Sequence, residues 1–462
     1  MTLSASERET RGKDERAAVP RSSHAAWSPP ADRRDPVAIL EEQGAARVPE
    51  LLPIRYGRML ASPFAFFRGA AAVFAADVAT TPRTGIRAQL CGDAHIANFG
   101  MYRAPDRMLV FDLNDFDETL PGPWEWDVKR MSASVEIAGR HVALTPAERR
   151  NAVTWGVEAY RRAMREFARM DTLDVWYSHL DVTDAVERFS ERFEDVDLTE
   201  IRRTIAKAEG RTNLRALHKL TGHVDGQLRF HSAPPLLVSL DDLATPAEAA
   251  QVRAHMGDLL DAYAQSLPDD RRHLFHQYRL VDLARKVVGV GSVGSRAWVL
   301  LLEGRDERDP LILQAKEAVR SVLEPYAGVS AYEQQGHRVV EGQRLMQAAS
   351  DILLGWQQVT GPDGVCRDFY LRQLWDGKGS ADLETMDAGK LRVYARMCGW
   401  TLARAHARSG DRTAIASYLG GGTVFDEAIA DFAAAYADQN ELDVAALRAA
   451  ADRGRLTVER GV

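Results

Sequence analysis

Between Cys91 and Glu118 the chain reads CGDAHIANFGMYRAPDRMLVFDLNDFDE, which sets Asp93, His95, Asn98, Asp112, Asp115 and Asp117 around one short apolar stretch. Crowded carboxylates repel one another, so such a cluster implies either a bound cation or an acid/base centre. Asp93 and Asn98 stand five positions apart on a loop leaving a strand, and after one hairpin Asp115 heads an Asp-Phe step. Two carboxylates and an amide oxygen brought together in this way could hold a hard cation such as Mg²⁺ and accept a proton from a hydroxyl beside it, which makes Asp93, Asn98 and Asp115 the candidates.

A second set of residues lies two hundred positions downstream. Gly289, Gly291 and Gly294 fall in G-x-G-x-x-G spacing within GVGSVG, with β-branched segments on both sides. Strand–turn–strand around such glycines fits a phosphate-covering hairpin, because bare backbone N–H groups can approach the phosphates there. Lys316 follows in LILQAKEA, and the resemblance of this arrangement to a protein-kinase-like nucleotide lobe implies a lysine that holds the α- and β-phosphates. Glu341 in RVVEGQRLMQ is the candidate to fix that lysine, with Glu333 second, and FYLRQLW would lead to an adenine hinge near Trp375–Gly377.

The first set resembles the aminoglycoside and choline phosphotransferase branch of the protein-kinase-like superfamily, whose pattern is H-G-D-x-H-x-x-N, I-D-[FW], G-D-P-x-x-D. Gly92, Asp93, His95 and Asn98 match, with Cys91 in place of the first His; Gly122 and Asp127 lie seven and twelve residues beyond Asp115. That spacing favours Asp115 as the principal metal ligand, while the distance from Asn98 across the hairpin keeps Asp112 as a rival. The whole chain after the first residues also resembles a bacterial family catalogued as domain of unknown function 2252, through SPFAFFRG, GDAHIANFG, NDFDE, GPWEWDVKR, RVVEGQRLMQ and YADQNELD. The resemblance implies an α+β, protein-kinase-like two-lobed fold in permuted order, the catalytic loop preceding the Gly-rich nucleotide lobe. It implies an ATP- and Mg²⁺-dependent phosphotransferase acting on a small-molecule hydroxyl acceptor, with Asp93 as base. Transfer of AMP and a non-catalytic nucleotide-binding module stay open as alternatives. GDAH also echoes the metallophosphoesterase G-D-x-H, but the further G-N-H-[DE] and G-H-x-H blocks are missing from the sequence.

These residues need elements to position them. IRAQL reads as the strand that delivers Cys91, and FGMY and MLVFDL as a hairpin around RAPDR. LTPAER carries a helix start, with Thr145 as cap, Pro146 in the first turn and Glu148 three residues after the cap. Residues 1–36 read as a disordered polar tail, 37–280 as a helix-rich catalytic region, 281–380 as a small β-rich nucleotide unit and 381–462 as helices packing back on the catalytic region. A net charge of −7 provides no basic field for nucleic acid, and three dispersed cysteines with no apolar leader or membrane-length run suggest the cytoplasm. Four further residues are noted. Arg68, amid aromatics in FFRG, calls for an anionic partner; Trp124 and Trp126 read as core; His406 reads as a packed or solvent-facing helix residue.

Overall fold

The computed structural model describes residues 3–461, except 191–198, 200–202, 204, 207–216, 218–219, 225–226, 288, 362, 375–378 and 380. The architecture is α+β. Strand β1 (Arg87–Leu90) pairs antiparallel with β4 (Leu120–Pro123), and between them β2 (Phe99–Arg103) and β3 (Leu109–Leu113) form the expected hairpin. The acid cluster therefore sits where two short ladders leave off, on loops whose ends are fixed by strand pairing.

Behind the hairpin lies a helical core. Glu125–His141 is buried along nearly its whole length, and Pro146–Phe167, Ala388–Ser409 and Val424–Asp452 pack round it. Pro146–Phe167 begins on the capping box read from sequence: Thr145 accepts from the Glu148 N–H, and Glu148 reaches back to the Thr145 N–H. Trp124 and Trp126 are core residues, Trp124 stacking on Tyr160 with ring centroids 5.7 Å apart.

A six-stranded antiparallel sheet forms the second core. After β5 (Thr221–Val224) and β6 (Gln227–Phe230) pair with each other, the strands are β7 (Leu237–Ser239), β8 (Arg279–Lys286), β9 (Ala297–Glu303), β10 (Pro310–Ala318), β11 (Gly355–Thr360) and β12 (Cys366–Gln373), in the order β11-β12-β10-β9-β8-β7. The β-rich unit is thus larger than residues 281–380. Leu237 pairs with Lys286, and the helix Pro246–Ala264 packs on β11, its Tyr263 and Ala264 sharing an apolar cluster with Leu313 of β10 and Leu371 of β12.

The disordered tail is also corrected. Ala5–Ala18 is a helix with its own capping box between Ser4 and Glu7. It lies against the helix Arg412–Leu419, so close that a Cβ on Gly12 would meet the Ala414 carbonyl oxygen at 2.3 Å. Basic residues of this segment cap that helix: Arg16 donates to the carbonyls of Ser417 and Tyr418, and Arg21, just beyond the first helix, to that of Leu419. Cations at a helix C-terminus meet unpaired carbonyls and the negative dipole end. Among the described residues no helix is long and apolar enough to cross a membrane.

Candidate functional site

Strand β1 ends at Leu90, and after Cys91 the chain must turn sharply. Gly92 adopts φ +82°, and a Cβ there would sit 2.4 Å from the Glu118 carbonyl oxygen, so only glycine fits. Asp127, in the first turn of helix Glu125–His141, accepts the N–H groups of Cys91 at 2.8 Å and Gly92 at 3.1 Å. His406 Nε2 lies 3.3 Å from the same carboxylate, and its Nδ1 is 2.9 Å from the Tyr160 hydroxyl. His406 is therefore a buried support for the loop.

Asp93 emerges from this anchored turn. Its Oδ1 accepts from Arg130, Nε at 2.8 Å and Nη2 at 2.7 Å, while Oδ2 has His95 Nε2 at 3.7 Å. Arg130 is held in turn by the Phe67 carbonyl, at 2.6 Å, and by the Phe67 ring beneath its guanidinium. Burial pushes the Asp93 carboxyl up to about 6 against the pull of Arg130, with Asp115 adding to the rise. Burial, helped by Arg68 and Arg130, pushes His95 well down, so its imidazole is neutral. Asn98 Nδ2 donates to the Asp93 carbonyl at 2.8 Å, which closes the loop.

Asp93, Asn98 and Asp115 all line one cavity of about 620 Å³. Its opposite wall is the sheet: Gly289, Gly291, Ser292, Lys316 and Arg372 line it too. The two sets of residues read from sequence, two hundred positions apart, therefore converge. The glycine turn lies between β8 and β9, the strand–turn–strand arrangement expected of it, with a short 3₁₀ turn at Val290–Ser292. Gly294 does not reach the cavity. It turns at φ +88° onto the Arg47 side chain, while the Val48 N–H donates to its carbonyl and Arg47 to that of Val293. It shapes the hairpin, and Gly289 and Gly291 face the space.

Two assignments are overturned. Asp112 faces away from the cavity: it is buried against Arg404, accepts the N–H groups of Leu113 at 2.8 Å and Ala348 at 2.9 Å, and has Tyr102 Oη at 3.5 Å. A carboxylate so fully engaged has no oxygen left for a metal. Glu341 pairs with Arg344 at 3.0 Å on the outer side of its helix, and Glu333 is exposed, so neither holds Lys316. Lys316 pairs instead with Asp117, whose other oxygen accepts from Tyr370 Oη at 2.8 Å. Burial opposes the lysine's charge, but Asp115 and Asp117 together hold its pKa above the ordinary range. The signal for Asp117 was the second Asp of NDFD. The hinge expected near Trp375–Gly377 lies outside the described residues.

A divalent cation is compatible with what remains. Asn98 and Asp115 are hard oxygen donors on one wall, and among the described residues no three His, Cys, Asp or Glu side chains gather as a metal cage. Mg²⁺ is commonly held by one or two carboxylates, with waters and substrate phosphates completing the shell.

The family described as an uncharacterized protein conserved in bacteria (DUF2252) matches residues 47–450, and the chain belongs to it. No curated protein and no solved structure matches the chain.

Proposed function

We propose that the protein is an ATP- and Mg²⁺-dependent phosphotransferase with a kinase-like site in permuted order, acting on the hydroxyl of a small molecule. The observation that carries this reading is the shared cavity: a glycine turn and a buried lysine face an Asp–Asn loop and a further Asp, although the chain order is reversed. Function depends on what converges in space, so the order of the segments is no obstacle.

In this reading Gly289 and Gly291 present backbone to the triphosphate, and Lys316 neutralises it. Asn98 and Asp115 would hold Mg²⁺, which supplies charge neutralisation on the phosphates. Oδ2 of Asp93, the oxygen that Arg130 leaves open, receives the acceptor's proton. The acceptor oxygen bonds to the terminal phosphorus, the bond from that phosphorus to the bridging oxygen breaks, and ADP leaves. A carboxyl with a pKa of about 6 is ionised at neutral pH and basic enough to share that proton.

Calorimetric titration of the full chain with ATP and Mg²⁺ tests the reading. Wild type is expected to bind with micromolar affinity and Lys316→Met about 10-fold or more weakly, the loss of one charge-assisted contact. A wild type that does not bind ATP rejects the assignment. With α- and γ-labelled ATP and a panel of hydroxyl acceptors, label is expected to transfer from the γ position; transfer from α would make the enzyme an AMP transferase.

A further inference from the structure

The helix Pro63–Gly69 belongs to neither set of residues discussed so far, yet its last turn carries Arg68 into the cavity. The helix is fixed on several sides. Ser62 caps it by accepting the Ala65 N–H, Asn440 donates to the Pro63 carbonyl, and Phe67 is buried edge-on against Phe74 and Tyr436. Arg68 is thus carried by a rigid part of the helical body.

Its neighbours place it between the two halves of the site. On one side Arg68 faces the glycine turn: its Nη2 is 3.9 Å from where a Cβ on Gly289 would lie, and its carbonyl oxygen 3.1 Å from one on Gly291. On the other side it feels the charges of Asp93 and Asp115. The other buried arginines nearby are engaged: Arg130 binds Asp93, Arg404 binds Asp112, and Arg338 donates to the carbonyls of Asp117, Thr119 and Val319. Arg68 differs in having no carboxylate or carbonyl partner among the described residues, and its Nε, like Nη1 of Arg130, is buried without a hydrogen bond. A buried donor left unmade is costly, which is a reason to look for a ligand that completes it.

We propose that Arg68 binds the terminal phosphoryl group of the nucleoside triphosphate, between the glycine turn and the Asp93 base. This rests on the phosphotransferase reading. A planar guanidinium matches phosphate oxygens with two parallel donors, and its charge counts most when negative charge spreads over the transferring group. Lys316, on the opposite wall, serves the phosphates that stay with the leaving ADP. Arg68 therefore reads the presence of the third phosphate and Lys316 the other two.

The test compares two probes on the full-length protein with Mg²⁺: ADP, and the β,γ-imido analogue of ATP. Arg68→Met is expected to lose about 10- to 100-fold in affinity for the analogue, the worth of one or two charge-assisted hydrogen bonds, and to keep ADP binding within about 2-fold. Arg68→Lys, which keeps charge and stem, is expected to fall between them. It carries the comparison alone if thermal unfolding shows that the Met variant is not folded. Equal losses for both nucleotides, or no loss for the analogue in a folded variant, overturn the role of Arg68 while leaving the phosphotransferase reading in place. A wild type that binds neither nucleotide removes both.

Discussion

Asp93 lies just before the β2–β3 hairpin and Asp112 on its second strand, and a buried arginine meets each of them. Around Asp112 the contacts are complete: Arg404, two backbone N–H groups and the Tyr102 hydroxyl occupy both oxygens, and the residue is 1% exposed. Around Asp93 they stop halfway: Arg130 takes Oδ1, Oδ2 has among the described residues only His95 at 3.7 Å, and the side chain stays 17% exposed. Residue type and charge partner are the same in the two places. What differs is whether the second oxygen is left open, and on the proposed reading that is what would separate a structural acid from a chemical one.

The largest effect that would break this comparison is on turnover. Asp93→Asn is expected to lower phosphotransfer about 10²–10⁴-fold, the range for removing a general base, while thermal unfolding stays close to wild type. Wild-type turnover would make Asp93 as structural as Asp112. The reverse substitution at the other site should act on stability. Asp112→Ala strands Arg404 without its counter-charge and should cost about 3–5 kcal/mol in urea unfolding, as breaking a buried pair does. At concentrations where it remains folded, ATP affinity should be unchanged; a stable variant with weakened binding would reverse the two roles.

The pH dependence sharpens the same contrast. Asp93 must be ionised to accept a proton, so kcat/KM should fall about tenfold per pH unit below a pKa near 6. Removing the cation that opposes its protonation, by Arg130→Gln, should move that limb to higher pH. A limb that stays in place would mean that another group limits the rate. The smallest effect is expected at Glu341. It is a third exposed and pairs within one helix turn with Arg344, so Glu341→Gln should change stability by less than about 0.5 kcal/mol and ATP affinity by less than about 2-fold. A large loss of affinity would restore it as the partner of Lys316.

The acid loop was legible because its geometry is local: a strand, a left-handed glycine and five residues bring Asp93 and Asn98 together with little help from elsewhere. The glycine turn and Lys316 were legible for the same reason, each lying on or beside a strand. Partners across the fold were not. Lys316 is paired 199 positions back, and the choice between Glu341 and Asp117 depends on which face the helix Gln335–Met346 turns inward. Arg338, Val339, Gly342 and Gln343 take that face, leaving Glu341 outside. Spacing likewise could not separate Asp112 from Asp115, because Arg404 lies 292 positions away. The N-terminal helix was missed for a different reason: its composition is that of a solvated tail, and its docking relies on arginine-to-carbonyl contacts that no apolar pattern announces.

Those contacts bear on the order in which the molecule can assemble. Arg16 and Tyr418 are 402 positions apart, and Arg33 joins Asp77 to Asp443, so the helical body closes only when distant parts of the chain meet. The central sheet draws all six strands from Leu237–Gln373. Loop-closure entropy delays contacts of long sequence separation, so the sheet should become rigid first and the acid hairpin, whose Asp112 awaits Arg404, later. Pulse-labelled hydrogen exchange during refolding would register this as protection in β9 and β10 ahead of β2 and β3; simultaneous protection would speak against it. On this sequence of events the sheet that carries Lys316 and the glycine turn is in place before the loop that carries Asp93, and the cavity between them closes only at the last docking step.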